Sequence, residues 1–338
     1  MAETLEFNLR LKRGSAFSLE AAESIPLTGV TALVGPSGGG KTSLLRSLAG
    51  LEREAKGVVR FRGREWTGPG GRVAPEDRRI GFVFQSPSLF PHLDVAGNLR
   101  YGARRREVGN YDAIIEALDL GALLNRRVQG LSGGEARRVS LGRAMASNPE
   151  VLFLDEPLSG LDFARKSELL PYIGRAVAEA QVPAVYVTHS ATEVTALADR
   201  VLGISGGRLT GWDVAPPRLS AEVTSVDTGL MRVLVDGAEP GQGAEFTLPL
   251  IAKLGEKVGL GLPVESLMVS TEPPGRSDAL TSLPVRVLEG QGGLTLDVFG
   301  QKITLPRGGP HVVGAELWLS ILRILPRPEP SDSAETRR

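Results

Sequence analysis

The segment from Gly35 to Thr42 constrains the fold more than any other part of the sequence. It reads GPSGGGKT, which matches G-x-x-x-x-G-K-[ST], and it stands between an apolar run, VTALV, and a helical pattern, KTSLLRSLAGL. Glycines let successive backbone N–H groups converge on phosphate oxygens, and the following helix adds the positive end of its dipole. The segment is therefore predicted to be a phosphate-binding loop between a strand and a helix.

Apolar runs and helical patterns alternate from Gly29 to about Arg208. The runs are VTALVG, IGFVF, VLFLD, AVYVTH and VLGIS, and helices are predicted from Lys41, from about Ala164 and from Ala191. Alternation of this kind predicts βαβ units on a largely parallel sheet, with sites at the carboxyl ends of the strands. The first part of the chain is therefore predicted to be an α/β domain.

The character of the sequence changes after Trp212. Pro216 and Pro217 break the chain, helical periodicity disappears, and short β-type runs separated by Gly and Pro follow. Two of the later stretches, MRVLVDGAEPGQGAEFTLP and TLDVFGQKITLP, are loosely similar, which indicates a duplicated small β-barrel. The predicted domains are 1–218 (α/β) and 219–325 (all-β, with halves at about 221–271 and 279–325), followed by a polar, Pro-rich tail at 326–338 that is predicted to be disordered.

Composition excludes several classes of function. The 338 residues are enough for about two domains. Lys plus Arg equals Asp plus Glu at 39 each, so no bulk charge favours nucleic acid, and no nucleic-acid partner is predicted. There is no cysteine, which excludes disulfides and thiolate catalysis. No run of about 18 apolar residues occurs, so the chain is expected to serve a membrane only from its surface.

Two carboxylates end the run VLFLDEP. A buried strand would deliver Asp155 and Glu156 to the carboxyl edge of the sheet. Asp155 is predicted to hold Mg²⁺ together with Thr42, and Glu156 to orient or deprotonate an attacking water. Acidic residues after strands also serve simply as helix caps, and that alternative loses weight beside a phosphate loop.

A second Gly-rich helix start occurs at Leu131–Glu135, LSGGE. Ser132 and Glu135 fit the S-x-x-E capping box of the helix that follows. A capping box does not need two glycines, whereas a backbone that approaches phosphate does. Ser132, Gly133 and Gly134 are therefore predicted to form a second anion site at a helix N-terminus.

Taken together, these motifs resemble those of the ATP-binding-cassette ATPases over nearly the whole first domain. Six motifs occur in the family's order. They are the Walker A loop at 35–42, the Q-loop Gln85, the signature at 131–135, the Walker B strand VLFLDEP, the D-loop at 159–162 and the switch His189. The resemblance implies a P-loop ATPase with a helical subdomain at about 86–148, followed by a C-terminal small-barrel domain of the MOP/TOBE type.

The resemblance also implies a head-to-tail homodimer, in which each ATP lies between Walker A of one subunit and the signature of the other. Glu156 would be the general base, His189 would contact the γ-phosphate, and Gln85 would sense Mg²⁺ and the attacking water. Mg²⁺ would be held by Thr42, Gln85 and Asp155. The implied ATP-binding residues are Gly35, Pro36, Ser37, Gly38, Gly39, Gly40, Lys41, Thr42, Ser43, Ser132, Gly133, Gly134 and Asp162, the last of which would couple the two sites.

Within this family the chain is similar to the ATPases of molybdate importers, on segments such as APEDRRIGFVFQSPSLFPHLDVAGNLRYG and, more weakly, TSLPVRVLEGQGGLTLDVFGQKITLPRGG. This implies that the protein serves the import of molybdate or tungstate. It would lie on the cytoplasmic face of the inner membrane. The implied partners are permease subunits, docked near Phe90, Pro91 and His92, and indirectly a periplasmic or extracellular substrate-binding protein. An oxyanion ligand of the C-terminal domain is a further implication.

Several alternatives stay open. Related importers of sulfate, ferric iron or polyamines also carry C-terminal barrels, and some cassette ATPases act in DNA repair or on ribosomes. A P-loop kinase or GTPase would not explain LSGGE and His189. The chain departs from the family pattern at Glu135, where Gln is commoner, and at the aromatic residue that stacks on adenine. Phe17 is the nearest aromatic and is expected to face the core, which leaves base stacking unassigned.

Overall fold

The computed structural model describes residues 3–14, 17–103, 111–213, 215–249, 252–274, 279–290, 293–306 and 311–328. The chain divides into two compact units. The first comprises Met1–Ser190 with Ala198–Asp213, and the second comprises Ala191–Leu197 with Val214–Arg338. The predicted boundary at 218 thus lies a few residues after the observed one, and the sequence did not indicate that residues 191–197 group with the second unit.

The first unit is built on one sheet of eleven described strands, in the order β6-β5-β4-β1-β2-β11-β10-β3-β9-β8-β7. The run β10-β3-β9-β8-β7 is parallel, and the strands from β6 to β2 are antiparallel. The strands are β1 (Thr4–Arg13), β2 (Phe17–Pro26), β3 (Val30–Val34), β4 (Lys56–Phe61), β5 (Arg64–Gly68), β6 (Gly71–Arg72), β7 (Ile80–Val83), β8 (Val151–Asp155), β9 (Ala184–Thr188), β10 (Arg200–Ser205) and β11 (Arg208–Asp213).

The parallel and antiparallel strands of this sheet differ in their pattern of burial. Every residue of β8 and β9 is buried, as expected for continuous apolar strands that are covered on both faces. In β1, buried and more exposed residues alternate, which is typical of an antiparallel strand with one face on the core. The α/β class predicted from the sequence is confirmed, and the site motifs follow the parallel strands at their carboxyl ends.

Six α-helices occur in the described residues, five of them in the first unit. None of the six combines the length and hydropathy that a bilayer span requires. Leu44, Leu45 and Leu48 of the first helix are fully buried in the core of the first unit. The helices are α1 (Lys41–Leu48), α2 (Val95–Ala103), α3 (Tyr111–Ala117), α4 (Gly133–Ala146), α5 (Phe163–Ala180) and, in the second unit, α6 (Ala191–Leu197).

The second unit contains two five-stranded antiparallel sheets, ordered β14-β13-β12-β15-β21 and β16-β20-β17-β18-β19. Their strands are β12 (Arg218–Asp227), β13 (Leu230–Val235), β14 (Glu245–Pro249), β15 (Lys257–Gly261), β16 (Leu267–Ser270), β17 (Thr281–Glu289), β18 (Leu294–Val298), β19 (Gln301–Leu305), β20 (Glu316–Ile321) and β21 (Leu325–Pro328).

The two halves compared in the sequence exchange their last strands. The fifth strand of the first half, β16, pairs with β20 of the second half, and the fifth strand of the second half, β21, pairs with β15 of the first. Both sheets share one hydrophobic core. Gln301 joins them by accepting a hydrogen bond from Ser220 N at 2.7 Å and donating to the oxygens of Ser220 and Asp236 at 3.0 Å each.

The predicted disordered tail begins too early. Residues 326–328 belong to β21, where Pro326 pairs with Leu260 and Pro328 with Val258. β21 is an edge strand, and an edge strand tolerates Pro because only one of its sides must supply ladder hydrogen bonds. The remainder of the predicted tail, 329–338, lies outside the described residues.

Candidate functional site

The phosphate loop lies between β3 and α1 and depends on its glycines. Gly35 has φ 156°, and a Cβ there would stand 1.9 Å from the carbonyl oxygen of Ile204. Gly40, the N-cap of α1, is left-handed at φ 106°. The Gly39 N–H donates to Pro36 O at 3.0 Å, and Gly39 O accepts from Gly207 N at 3.0 Å. Side chains at these positions would disrupt the loop, since space and backbone conformation both require glycine.

Lys41, in the first turn of α1, is 4% exposed and is directed back over the loop. Its ammonium group donates to the carbonyl oxygens of Gly35 and Pro36, both at 2.9 Å. The same Nζ stands 3.6 Å from Glu156 Oε1. A buried cation held by two neutral carbonyls can exchange these partners for a phosphate oxygen, which is a stronger acceptor.

Thr42 and Asp155 meet directly beneath the loop. The Thr42 hydroxyl donates to Asp155 Oδ1 at 2.7 Å, and Asp155 is buried at the end of β8. Burial raises the pKa of Asp155, the hydrogen bond from Thr42 opposes that shift, and the charge of Glu156 adds to it. A hydroxyl and one carboxylate are oxygen ligands of the kind that Mg²⁺ uses alongside water and phosphate. No cluster of three or more His, Asp or Glu that could hold a metal occurs in the described residues.

Glu156 adopts an unusual backbone conformation. Its φ is 42°, in the left-handed region that non-glycine residues rarely occupy, and its N–H donates to Val187 O of β9 at 3.1 Å. Its side-chain Oε1 is 3.5 Å from His189 Nδ1 and 3.6 Å from Lys41 Nζ. β8 and β9 are adjacent and parallel, which places Glu156 and His189 side by side at the same edge.

Gln85 and Asp162 also follow strands of this sheet region. Gln85 is exposed, two residues beyond β7, the strand that pairs with β8. Asp162 caps α5, with Oδ1 accepting from Arg165 N at 2.9 Å, and its side chain is 63% exposed. The structure therefore joins Lys41, Thr42, Asp155, Glu156 and His189 in direct contact, whereas Gln85 and Asp162 are exposed.

The signature segment begins α4 with the predicted capping box. Ser132 N donates to Glu135 Oε2 at 2.7 Å and Glu135 N donates to Ser132 Oγ at 3.3 Å. The backbone N–H of Ser132 is the main cause of the lowered pKa of Glu135. A Cβ on Gly133 would meet nothing within 4 Å, and one on Gly134 would make only ordinary contact with Leu169. This chain's own fold therefore does not require either glycine.

Within the described residues, no hydrogen bond or ion pair joins Ser132–Gly134 to the phosphate loop. In the part of the chain that the structure describes, the two Gly-rich helix starts are thus not bonded to each other. The first is internally bonded and only partly buried, since Gly39–Lys41 are buried and Pro36–Gly38 are exposed, and the second begins α4 with Ser132 and Gly133 exposed.

The structure adds one residue at the phosphate loop whose place the sequence left open. Phe17 is partly buried and packs on the core, as expected, but its Cζ would also lie 3.3 Å from a Cβ on Gly40. Its ring therefore borders the last glycine of the loop. Its position at the start of β2 gave no sign of this, because the contact depends on the pairing of distant strands.

The first part of the chain is similar to a known protein family and to several named proteins. The family model described as "ABC transporter" matches residues 21–159. The Molybdenum import ATP-binding protein ModC of Salmonella typhimurium is 45% identical over 207 residues, which are 61% of this chain and 58% of that protein. ModC of Thiobacillus denitrificans is 48% identical over 196 residues, 57% of this chain and 54% of that protein. The chain thus spans less than two thirds of the length of these relatives.

A solved structure shares the fold. CbiO1 of Clostridium perfringens, described as part of the ABC transporter complex cbiONQ, superposes with a TM-score of 0.54 at 24% identity, covering 63% of this chain and 88% of that chain. The fold, the phosphate loop, the capped LSGGE helix and the family match agree. Residues 21–159 are thus similar to the ABC transporter family, and the chain is similar to the molybdenum import proteins ModC.

Proposed function

We propose that this chain is the ATP-hydrolysing subunit of an oxyanion importer and that it acts as a homodimer. The observation that carries the proposal is the convergence of Lys41 and His189 on one carboxylate oxygen of Glu156, beside the Thr42–Asp155 pair. These groups are a carboxylate, an imidazole and a buried ammonium group, and they lie at the carboxyl edge of a parallel sheet next to a phosphate loop. Such a set suits phosphoryl transfer to water.

The proposed chemistry uses these residues in turn. The loop N–H groups bind the β- and γ-phosphates, and Lys41 exchanges its two carbonyl partners for phosphate oxygens. Thr42 and Asp155, with Gln85, would hold Mg²⁺, which when bound neutralises phosphate charge. Glu156 orients the attacking water and accepts its proton, and His189 contacts the γ-phosphate. Ser43, which follows Thr42 in α1, would also contact the bound ATP.

The dimer follows from the exposed half-site. Gly133 and Gly134 begin α4 behind the capping residue Ser132, and glycine there serves no need of this chain's own packing. A partner's ATP is the ligand that would use it, because a phosphate needs close approach of backbone N–H groups. Each ATP would then lie between the phosphate loop of one subunit and the signature of the other, with Asp162 coupling the sites.

A permease subunit would dock on the segment after Gln85. Asn98, fully buried in α2, accepts from Phe90 N at 2.8 Å and donates to Phe90 O at 3.2 Å, which fixes the shape of this segment. Pro91 and His92 are exposed beside it, and Tyr101 is 50% exposed and packs on the Phe90 ring at 4.3 Å. A rigid, partly apolar surface of this kind suits a protein partner.

The proposed cargo is molybdate or tungstate, because the relatives reported above are named for molybdenum import. Sulfate, ferric iron and polyamine import are the alternatives, and a cassette ATPase without a transport role is a more distant one. The subunit would lie on the cytoplasmic face of the membrane, with a substrate-binding protein on the other side. Co-purification with an integral membrane permease would distinguish an importer from a non-transport ATPase.

Glu156→Gln tests the assignment of the base. Removing the carboxylate should lower hydrolysis by about 1000-fold while ATP binding is kept, because positioning groups remain. Size-exclusion chromatography in ATP should then show a dimer that the parent chain, which hydrolyses ATP, does not accumulate. Hydrolysis by Glu156→Gln at the parental rate would refute the proposal.

An oxyanion ligand of the second unit stays a prediction. Its motive is the duplicated Gly-rich β segment, whose backbone N–H groups and hydroxyls could bind a small dianion. Calorimetry with molybdate on the full chain measures it directly. Absence of heat at millimolar ligand would leave the second unit with a purely structural role.

A further inference from the structure

Arg137 connects the signature helix to the turn that follows Glu156. It lies on α4, about one turn after the capping residue Ser132, and its Nη2 donates to the carbonyl oxygen of Ser159 at 2.5 Å. Ser159 N in turn donates to Glu156 O at 3.0 Å. Two hydrogen bonds therefore separate the signature helix from the backbone of Glu156.

The turn that Arg137 contacts is conformationally demanding. Glu156 has φ 42° and Gly160 has φ 73°, so both ends of the turn are left-handed. Such a conformation is strained at a non-glycine residue, and it persists only where surrounding groups hold it. The hydrogen bond to Ser159 O is a contact from a separate helix that fixes the middle of this turn.

The surroundings of Arg137 are unfavourable for a guanidinium group. It borders a small cavity of about 20 Å³, whose other walls include Phe84, Leu154, Pro157 and Leu158. Its Nε is buried and has no hydrogen-bond partner among the described residues. Arg137 is half-buried, and desolvating part of its guanidinium group costs free energy that the hydrogen bond to Ser159 O must offset.

We propose that Arg137 is a positioning residue that couples the two ATP sites of the dimer through one chain. The inference rests on the proposed head-to-tail dimer, in which the N-terminus of α4 faces one ATP and Glu156 of the same chain faces the other. When α4 moves onto the partner's phosphate, Arg137 moves Ser159 and hence the backbone of Glu156. ATP binding at one site thereby sets the position of the Glu156 carboxylate at the second site.

Arg137→Met tests the coupling by ATP titration of hydrolysis on the full chain. The parent should show a Hill coefficient of about 2, and the variant should fall toward 1 because the sites no longer communicate. Its kcat should drop about tenfold, the effect of one lost charged hydrogen bond, while its ATP affinity, measured in the Glu156→Gln background, should be unchanged. Arg137→Lys keeps a donor and should restore part of both kcat and cooperativity.

Arg138→Met is the matched control. Arg138 is the next residue on α4, and its Nη1 donates to the oxygens of Leu118 and Asp119, at 2.8 Å each, instead of to the turn after Glu156. This variant should keep the parental Hill coefficient. The inference is overturned if Arg137→Met keeps both kcat and cooperativity, or if it unfolds and Arg137→Lys restores stability alone. A parent chain that hydrolyses no ATP would instead refute the proposed function.

Discussion

The two Gly-rich helix starts of the first unit look alike in sequence and differ in structure. In the phosphate loop, glycines are required from within: Gly35 packs against the Ile204 carbonyl, and Gly40 is left-handed beside Phe17. In the signature, Gly133 has open space around it and neither signature glycine has a positive φ. The fold itself needs glycine in the phosphate loop, whereas in the signature glycine would be needed only by a ligand from outside the chain.

The polar groups of the two regions differ in the same sense. Lys41, Thr42 and Asp155 already bond to one another or to the loop, so the first region is organised before any ligand arrives. The signature contributes only a capped helix end, in which the side chains of Ser132 and Glu135 each accept the other residue's backbone N–H and Gly133 is exposed. In the proposed dimer, the first region is a prepared site and the second completes the site of the partner subunit.

Alanine at the two kinds of glycine should have opposite effects on stability. Gly35→Ala should lower the free energy of unfolding by about 3 kcal/mol or more, because its Cβ would overlap a backbone oxygen. Gly133→Ala should keep or slightly raise it, by about 0.5 kcal/mol, since alanine suits the first turn of a helix. Gly133→Ala should still lower hydrolysis by about 100-fold, the effect of a blocked backbone donor. Denaturant unfolding and ATPase assays on both proteins check this, and a fully active Gly133→Ala chain would contradict the role given to the signature.

The next largest effect is expected at Phe17, whose ring borders the phosphate loop and could contact the base of ATP. We expect Phe17→Ala to weaken ATP binding about tenfold, because base stacking on an aromatic ring contributes about 1–3 kcal/mol. Inorganic tripolyphosphate lacks the base, so its affinity should be unchanged, and Phe17→Tyr, which keeps the ring, should bind ATP normally. Equal losses for ATP and tripolyphosphate would mean that Phe17 supports the loop and not the base. Titration calorimetry separates the two outcomes.

The smallest effect concerns pH, and it has opposite signs in the two regions. Burial raises the pKa of Asp155, so its ionised form costs stability at neutral pH, and Asp155→Asn should raise Tm by a few degrees there. That gain should disappear as pH falls through the pKa of Asp155. The pKa of Glu135 is lowered by the hydrogen bond from Ser132 N, so Glu135→Gln should lower the Tm at neutral pH. The substitution should have no such effect at a pH where Glu135 is protonated in both the folded and the unfolded chain. Thermal unfolding without nucleotide or Mg²⁺ between pH 3 and pH 8 tests both, and parallel curves would contradict the contrast.

Much of the first unit followed from local pattern. The predicted strands VTALV, VLFLD and AVYVT occur at β3, β8 and β9, and α1 begins at Lys41 as predicted, because buried parallel strands and amphipathic helices leave strong periodic signals. The capping box of Ser132 and Glu135 is also confirmed. These features depend on neighbours in sequence.

What the sequence could not supply depends on distant pairing. Arg137 reads as one of several polar residues on a helix, and only the fold brings it to Ser159. Phe17 meets Gly40 because separate strands align. Pro326 and Pro328 read as a disordered tail because Pro opposes strands in general, whereas an edge position makes them acceptable. In each case the deciding contact lies outside the local window.

The exchange of β16 and β21 also bears on how the second unit is made. During synthesis β15 leaves the ribosome long before β21, so the first sheet keeps an open edge until nearly all of the described chain has been translated. β16, in turn, waits for β20, its partner in the second half. Neither repeat can finish folding as it emerges, and both edges are exposed to unwanted strand pairing in the interval. The second unit is thus completed as a whole and not one repeat at a time.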